Sequence, residues 1–159
     1  VTDIALLYTR YASDVYRFAL YLSGNFADAE DITSETFVRA WTATGPLEMT
    51  TIKGYLFAIA RNLYLIGLRR GTRQVALDPE VPEHDPPVTI DPQRDLAGRT
   101  SLARVVSRLQ DLPEPDRAAL LMRSLEEIPY EEIAKLLGLS TGAVKVKVHR
   151  ARRALAEVR

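Results

Sequence analysis

Apolar side chains return every three or four positions through the first seventy residues of the chain. Ile4, Leu7, Tyr11, Val15, Phe18 and Leu22 make one such face, which predicts an amphipathic helix. Ser23-Gly24-Asn25 ends it, with the glycine free to take a left-handed cap. A second helix is expected from about Asp28, an N-cap residue type, to about Ala43. Gly45-Pro46 breaks it. A third is expected from about Thr51 to Arg70, where the pairs Tyr55/Ile59 and Leu56/Leu63 share a side. The pattern then fails between Gly71 and Pro92. Pro79, Pro82, Pro86, Pro87 and Pro92 restrict φ and remove donors there, so no regular element is expected. A short helical run is expected from about Asp95 to Asp111. A compact helical unit follows from Pro113 to the end. Strand signals are nearly absent. The reading is an all-α chain of two small helical domains, 1–71 and 95–159, joined by a flexible acidic Pro-rich linker, 72–94.

The best-defined local signal runs from Ile128 to Leu155. Pro129 suits a helix start, where its missing N–H would be unpaired anyway. Ile133, Leu136 and Leu137 form an apolar stripe. Gly138 permits a tight turn, and Ser140 is placed to cap the next helix. Two helices joined by a glycine turn make a helix-turn-helix, whose second helix lies in the major groove. On that helix Val144, Val148, Ala151 and Leu155 are four, three and four apart and are expected to pack inward. The other side then shows Lys145, Val146, His149, Arg150 and Arg153. Lysine and arginine donate to guanine edges and phosphates, and Val146 offers contact to a thymine methyl. Thr141 is placed for a phosphate. Read from the residues alone, the same pattern also fits a solvated basic face on an ordinary helix.

Composition changes this picture in one respect. The 159 residues carry a formal net charge of zero, which argues against a nucleic-acid coat protein. The charges are sorted, however. From Ser140 to Ala154 the charged residues are Lys145, Lys147, Arg150, Arg152 and Arg153, with no acid. From Gly71 to Thr100 six acids (Asp78, Glu80, Glu83, Asp85, Asp91 and Asp95) face only Arg73, Arg94 and Arg99. There is no cysteine, so disulfides and thiolate metal sites are excluded. No apolar run approaches the roughly 18 residues of a membrane span, so no membrane insertion is expected. A cytoplasmic location is expected.

The stretch from Asp28 to Trp41 places Ala29, Ile32, Thr33, Thr36, Phe37 and Ala40 on one broad side of a helix, with Asp31, Glu35 and Val38 on the other. A valine among carboxylates fits a partner surface, or a solvated face with one harmless apolar group. Its sequence, Ala29-Glu-Asp-Ile-Thr-Ser-Glu-Thr-Phe-Val-Arg-Ala-Trp41, closely resembles the second conserved region of bacterial extracytoplasmic-function (ECF) sigma factors. Tyr55-Leu-Phe-Ala-Ile-Ala-Arg-Asn-Leu63 and Leu68-Arg-Arg70 look like the family's next stretch. Leu112-Pro113, Tyr130-Glu-Glu-Ile-Ala134, Val144-Lys145 and His149-Arg-Ala-Arg152 are similar to its fourth region. The resemblance spans nearly everything outside the linker.

The resemblance implies specific roles. Asp31, Ser34, Glu35, Val38 and Arg39 match the motif that docks on the clamp helices of the largest subunit of core RNA polymerase. The loop Thr44 to Thr51, with Gly45, Pro46, Leu47, Glu48 and Met49, matches the segment that melts and reads the −10 element. Lys53, Tyr55, Arg61 and Asn62 lie on the helix that handles the opened strand, where bases need stacking and positive charge. Lys145, Val146, His149 and Arg150 match positions that touch −35 duplex, and Arg123 matches a phosphate contact. With Ser140, Thr141, Lys147 and Arg153 they complete the candidate −35 surface of promoter DNA. The linker acids fit a path toward basic channels of the polymerase, or an inert tether. An anti-sigma factor is expected to cover exposed apolar surface such as that around Val38. Two departures bear on the promoter: Ile66-Gly67 stands where the family usually has an acid nearby, and Val146 replaces a common serine. A free-standing dimeric helix-turn-helix regulator is the alternative, though no heptad seam is evident. No glycine-rich phosphate loop, nucleophile elbow or metal cluster is present, so neither enzyme activity, cofactor nor metal is expected. His84 and His149 lie in unlike segments.

Overall fold

The computed structural model describes residues 3–42, 51–71 and 92–156. These contain seven helices and no strand. Packing groups α1–α3 in one compact unit and α4–α7 in another.

Helix α1 spans Ile4–Ser23. The Asp3 carboxylate accepts from the Ala5 N–H at 3.0 Å, which satisfies one donor of the first turn. Gly24 ends the helix with φ of 70° and returns its N–H to the Leu20 carbonyl. That conformation suits a residue without Cβ. Helix α2, Phe26–Thr42, starts at once. Its opening corrects the expected start near Asp28. The Asn25 side chain accepts from the Asp28 N–H at 2.9 Å, so Asn25 is the cap and Asp28 already lies in the first turn. One glycine therefore closes α1 while its neighbour opens α2.

The buried face of α2 is Ala29, Ile32, Thr33, Thr36 and Phe37. The two threonine hydroxyls donate to the Ala29 and Ile32 carbonyls, each at 2.6 Å. Their polar groups are thus satisfied within the helix, and their methyls face the core. Helix α3, Ile52–Gly71, opens on Thr51, whose hydroxyl accepts from the Gly54 N–H at 3.0 Å. It buries Leu56, Phe57 and Ala60 completely. The three helices pack pairwise. At their centre the Phe18 and Phe57 rings stack 4.6 Å apart and 18° from parallel.

In the second unit, α4 spans Pro92–Gln110, α5 Glu114–Ser124, α6 Tyr130–Leu137 and α7 Thr141–Ala156. The first of these begins three residues before the expected Asp95. A proline at a helix start forfeits no hydrogen bond, so Pro92 does not delay it. Of the expected linker, residues 92–94 fall in α4 and 72–91 lie outside the described residues. Helix α5 packs on α6 and α7, and α6 packs on α7. The core holds Leu109, Leu112, Ala118, Ala119, Leu121, Met122, Ile128, Ile133, Val144, Val148 and Ala151. Arg117 is only 4 % exposed. Its guanidinium donates to the Leu112 carbonyl at 2.9 Å and to that of Leu109 at 3.4 Å, tying the end of α4 to α5.

The turn between α6 and α7 is set by Gly138 at φ of 67°, and the Leu139 N–H returns to the Ala134 carbonyl at 2.9 Å. Space around Gly138 is open, with nothing within 4 Å of an added Cβ. Gly138→Ala therefore meets backbone strain alone. The expected cost is about 1–2 kcal/mol, read as a lower urea midpoint with an unchanged m-value.

Candidate functional site

Two surfaces gather the chemistry. The first is the outer side of α2. Asp31, Ser34, Glu35, Val38 and Arg39 are all exposed, while the intervening residues Ile32, Thr33, Thr36 and Phe37 are buried. One helical surface thus holds two carboxylates, a hydroxyl, a guanidinium and an isopropyl group. Arg39 Nε lies 3.4 Å from Glu35 Oε1, one turn apart. Desolvation, and then the neighbouring Asp31 carboxylate, hold the Asp28 carboxyl above its usual range. Trp41, absent from the expected site, is 69 % exposed, more than Val38 at 49 %. The two are three residues apart, a spacing that puts apolar groups side by side on a helix. That spacing was the available signal.

Of the expected −10 residues, Thr44, Gly45, Pro46, Leu47, Glu48 and Met49 lie outside the described residues. On α3 the remaining four divide. Tyr55 and Asn62 are seven apart and so share a side, as two turns of helix require. Lys53 and Arg61 lie on another. The Lys53 ammonium is 3.6 Å from Asp14 on α1, and the Arg17 guanidinium donates to the same carboxylate at 3.1 Å.

The second surface is α7. Val144, Val148 and Ala151 are buried and Leu155 half-buried, and Lys145, Val146, His149, Arg150 and Arg153 are exposed. Val146, His149, Arg150 and Arg153 form one outer stripe at spacings of three, one and three. Ser140 is used locally, since its hydroxyl oxygen accepts from the Ala143 N–H at 3.1 Å and caps α7. Thr141 is the first residue of the helix, where the free N–H groups of its first turn favour an anion. Arg123 lies 4.5 Å over the Tyr130 ring and donates to the Ile128 carbonyl at 3.3 Å. The Lys145 ammonium approaches the same ring at 5.7 Å. This ring thus supports two cations beside α7.

A side chain absent from the expected site joins this surface from α5. Asp116, in the first turn of α5, has a side chain only 2 % exposed. Its Oδ2 accepts from Arg150 Nε at 2.8 Å, and its Oδ1 accepts from Nη2 at 3.0 Å. Lys147 Nζ lies 3.6 Å from Oδ1. The hydrogen bonds to Asp116, and then its charge, push the Arg150 pKa up.

Two family models match the chain: Sigma-70 region 2 over residues 7–74 and Sigma-70, region 4 over residues 102–155. SigE of Mycolicibacterium smegmatis, an ECF RNA polymerase sigma factor, is 36 % identical over 94 % of this chain, which spans 58 % of that protein. The ECF RNA polymerase sigma factor SigC of Mycobacterium tuberculosis is 34 % identical over 89 % of this chain and 75 % of its own length. The chain belongs to the ECF sigma factors. A solved structure of the sigma factor RpoE in complex with the anti-sigma factor NepR, from Bartonella quintana, has a TM-score of 0.77 at 28 % identity, covering 99 % of this chain and 96 % of that one. In this ECF sigma factor the region 2 match contains the α2 surface, and the region 4 match contains α5, α6 and α7 as far as Leu155. Among the described residues no group of His, Asp and Glu side chains could hold a metal, and no helix is long and apolar enough to cross a membrane.

Proposed function

We propose that this ECF sigma factor binds core RNA polymerase through the outer face of α2 and directs it to promoters whose −10 and −35 elements it reads. Residues 1–71 carry polymerase docking and −10 reading, and residues 95–159 carry −35 reading. Asp31, Ser34, Glu35, Val38 and Arg39 dock on the clamp helices of the largest subunit. The segment 44–49, with Lys53, Tyr55, Arg61 and Asn62, handles the −10 strand. The observation that carries the reading is the build of α7: three buried apolar residues lock one side into a helix-turn-helix, and its other side shows Lys145, Val146, His149 and Arg150. A helix so placed presents donors and a methyl-bearing side chain to the major groove.

Each surface alone is small. Tethering both to one polymerase makes the second contact intramolecular, so two modest affinities act as one stronger one. An anti-sigma factor that covers Val38 and Trp41 would remove the polymerase-docking half of that pair. The solved relative bound to NepR supports this mode of control.

Run-off transcription with purified core polymerase and a pool of promoter templates tests the reading. Added chain is expected to yield new, template-specific start sites; a product profile identical to that of core alone removes it. On a template so selected, Lys145→Ala is expected to weaken −35 recognition by about 1–3 kcal/mol. A uniform loss over all −35 variants would make Lys145 a phosphate contact instead.

A further inference from the structure

The Asp116 cluster is unequal in its burial. The carboxylate is 2 % exposed, whereas the Arg150 side chain it binds is 59 % exposed. Buried carboxylates are costly unless paired, and this one is paired from α7 across 34 positions of sequence. A guanidinium has two donor edges. Asp116 takes the side edge, Nε and Nη2. The end formed by Nη1 and Nη2 is left for a second acceptor, on the outer stripe with Val146, His149 and Arg153.

We propose that Asp116 is a positioning residue for promoter reading: it fixes Arg150 so that the guanidinium end meets a base edge, and it holds Lys147 against α5. An unrestrained arginine on a helix surface is a swinging cation that phosphates attract from many directions. Locked by its fork, Arg150 has given up much of its rotamer freedom before DNA arrives. The adjacent carboxylate also offsets its charge, which weakens phosphate attraction. The directional donors remain, and they suit the paired acceptors O6 and N7 of guanine. Lys147, drawn to the same carboxylate, is kept from adding sequence-blind affinity. Asp116 thereby shifts the helix from charge-driven to base-driven binding.

This inference rests on the sigma-factor reading, and its test separates the two. Full-length chain is assembled with core polymerase on a promoter selected from the template pool, with each −35 base pair varied in turn. Asp116→Asn keeps the side-chain shape and removes the charge. It is expected to lower discrimination at one G·C pair about ten-fold or more. The free variant should bind unrelated duplex as well as, or better than, the parent, with a salt slope steeper by up to about 2 as two cations are released. Arg150→Gln should lose discrimination at the same base pair, and the double variant should lose no more than Arg150→Gln alone. Losses that are equal on every template, or that add in the double variant, overturn the positioning role. A purely structural role would lower stability and all affinities together. Should Asp116→Asn fail to fold, Arg150→Lys decides: it keeps the charge and loses the fork, so retained discrimination overturns the proposal. A parent chain that selects no promoter overturns the sigma reading and the role of Asp116 with it.

Discussion

Replacing Phe57 with alanine is expected to destabilise the α1–α3 unit by about 3–5 kcal/mol. Phe57 and its stacking partner Phe18 are both fully buried, with ring centroids 4.6 Å apart. Truncation removes the buried ring and leaves Phe18 facing a void between three helices. Other side chains of this core, Leu22, Leu56 and Ala60 among them, are also fully buried, and a close-packed interior has little freedom to collapse inward. Whole domains have stabilities of about 5–15 kcal/mol, and small ones lie low in that range. The variant should therefore unfold this unit at much lower urea, with the transition of the α4–α7 unit still in place. Near-parental midpoints for both transitions would show that the stacked pair is not central to the first core.

Glu35→Lys is expected to reduce affinity for core RNA polymerase at least about ten-fold, because it reverses a charge within the proposed docking face. The side chain is half exposed and its ion pair with Arg39 spans 3.4 Å on the helix surface. Such a pair contributes no more than about 0.5 kcal/mol to folding, so the melting curve should barely move. Competition against labelled parent chain for core enzyme measures the first effect, and circular dichroism checks the second. Binding of unrelated duplex by the free chain serves as the internal control, since α7 is untouched. Unchanged competition would take α2 out of the polymerase interface.

Much of this architecture was legible because it repeats locally. The buried sets on α2 and α7 follow a three-to-four spacing and could be read within their own helices, whereas α1 buries a wider set, with Ala12, Tyr16, Ala19 and Leu20 beside the predicted Val15, Phe18 and Leu22. The turn at Gly138 and the cap at Ser140 were legible for the same reason. The exposed set Asp31, Ser34, Glu35, Val38 and Arg39 came from the resemblance, since spacing alone left a solvated face open. Less was legible where a residue serves a distant or doubled purpose. Asn25 looked like part of a terminator because it directly follows Gly24, yet its side chain opens α2. Arg117 is a buried charged residue whose guanidinium donates to the carbonyls of Leu109 and Leu112, a pairing that no periodicity reveals. Asp116 and Arg150 belong to helices whose periodicities say nothing about each other.

The separate closure of apolar burial within α1–α3 and within α4–α7 also bears on inheritance. A crossover between the coding segments of the two bodies would cut through neither hydrophobic centre. Either half could then be paired with a foreign counterpart and still fold, so recombination has whole recognition surfaces to shuffle rather than single residues.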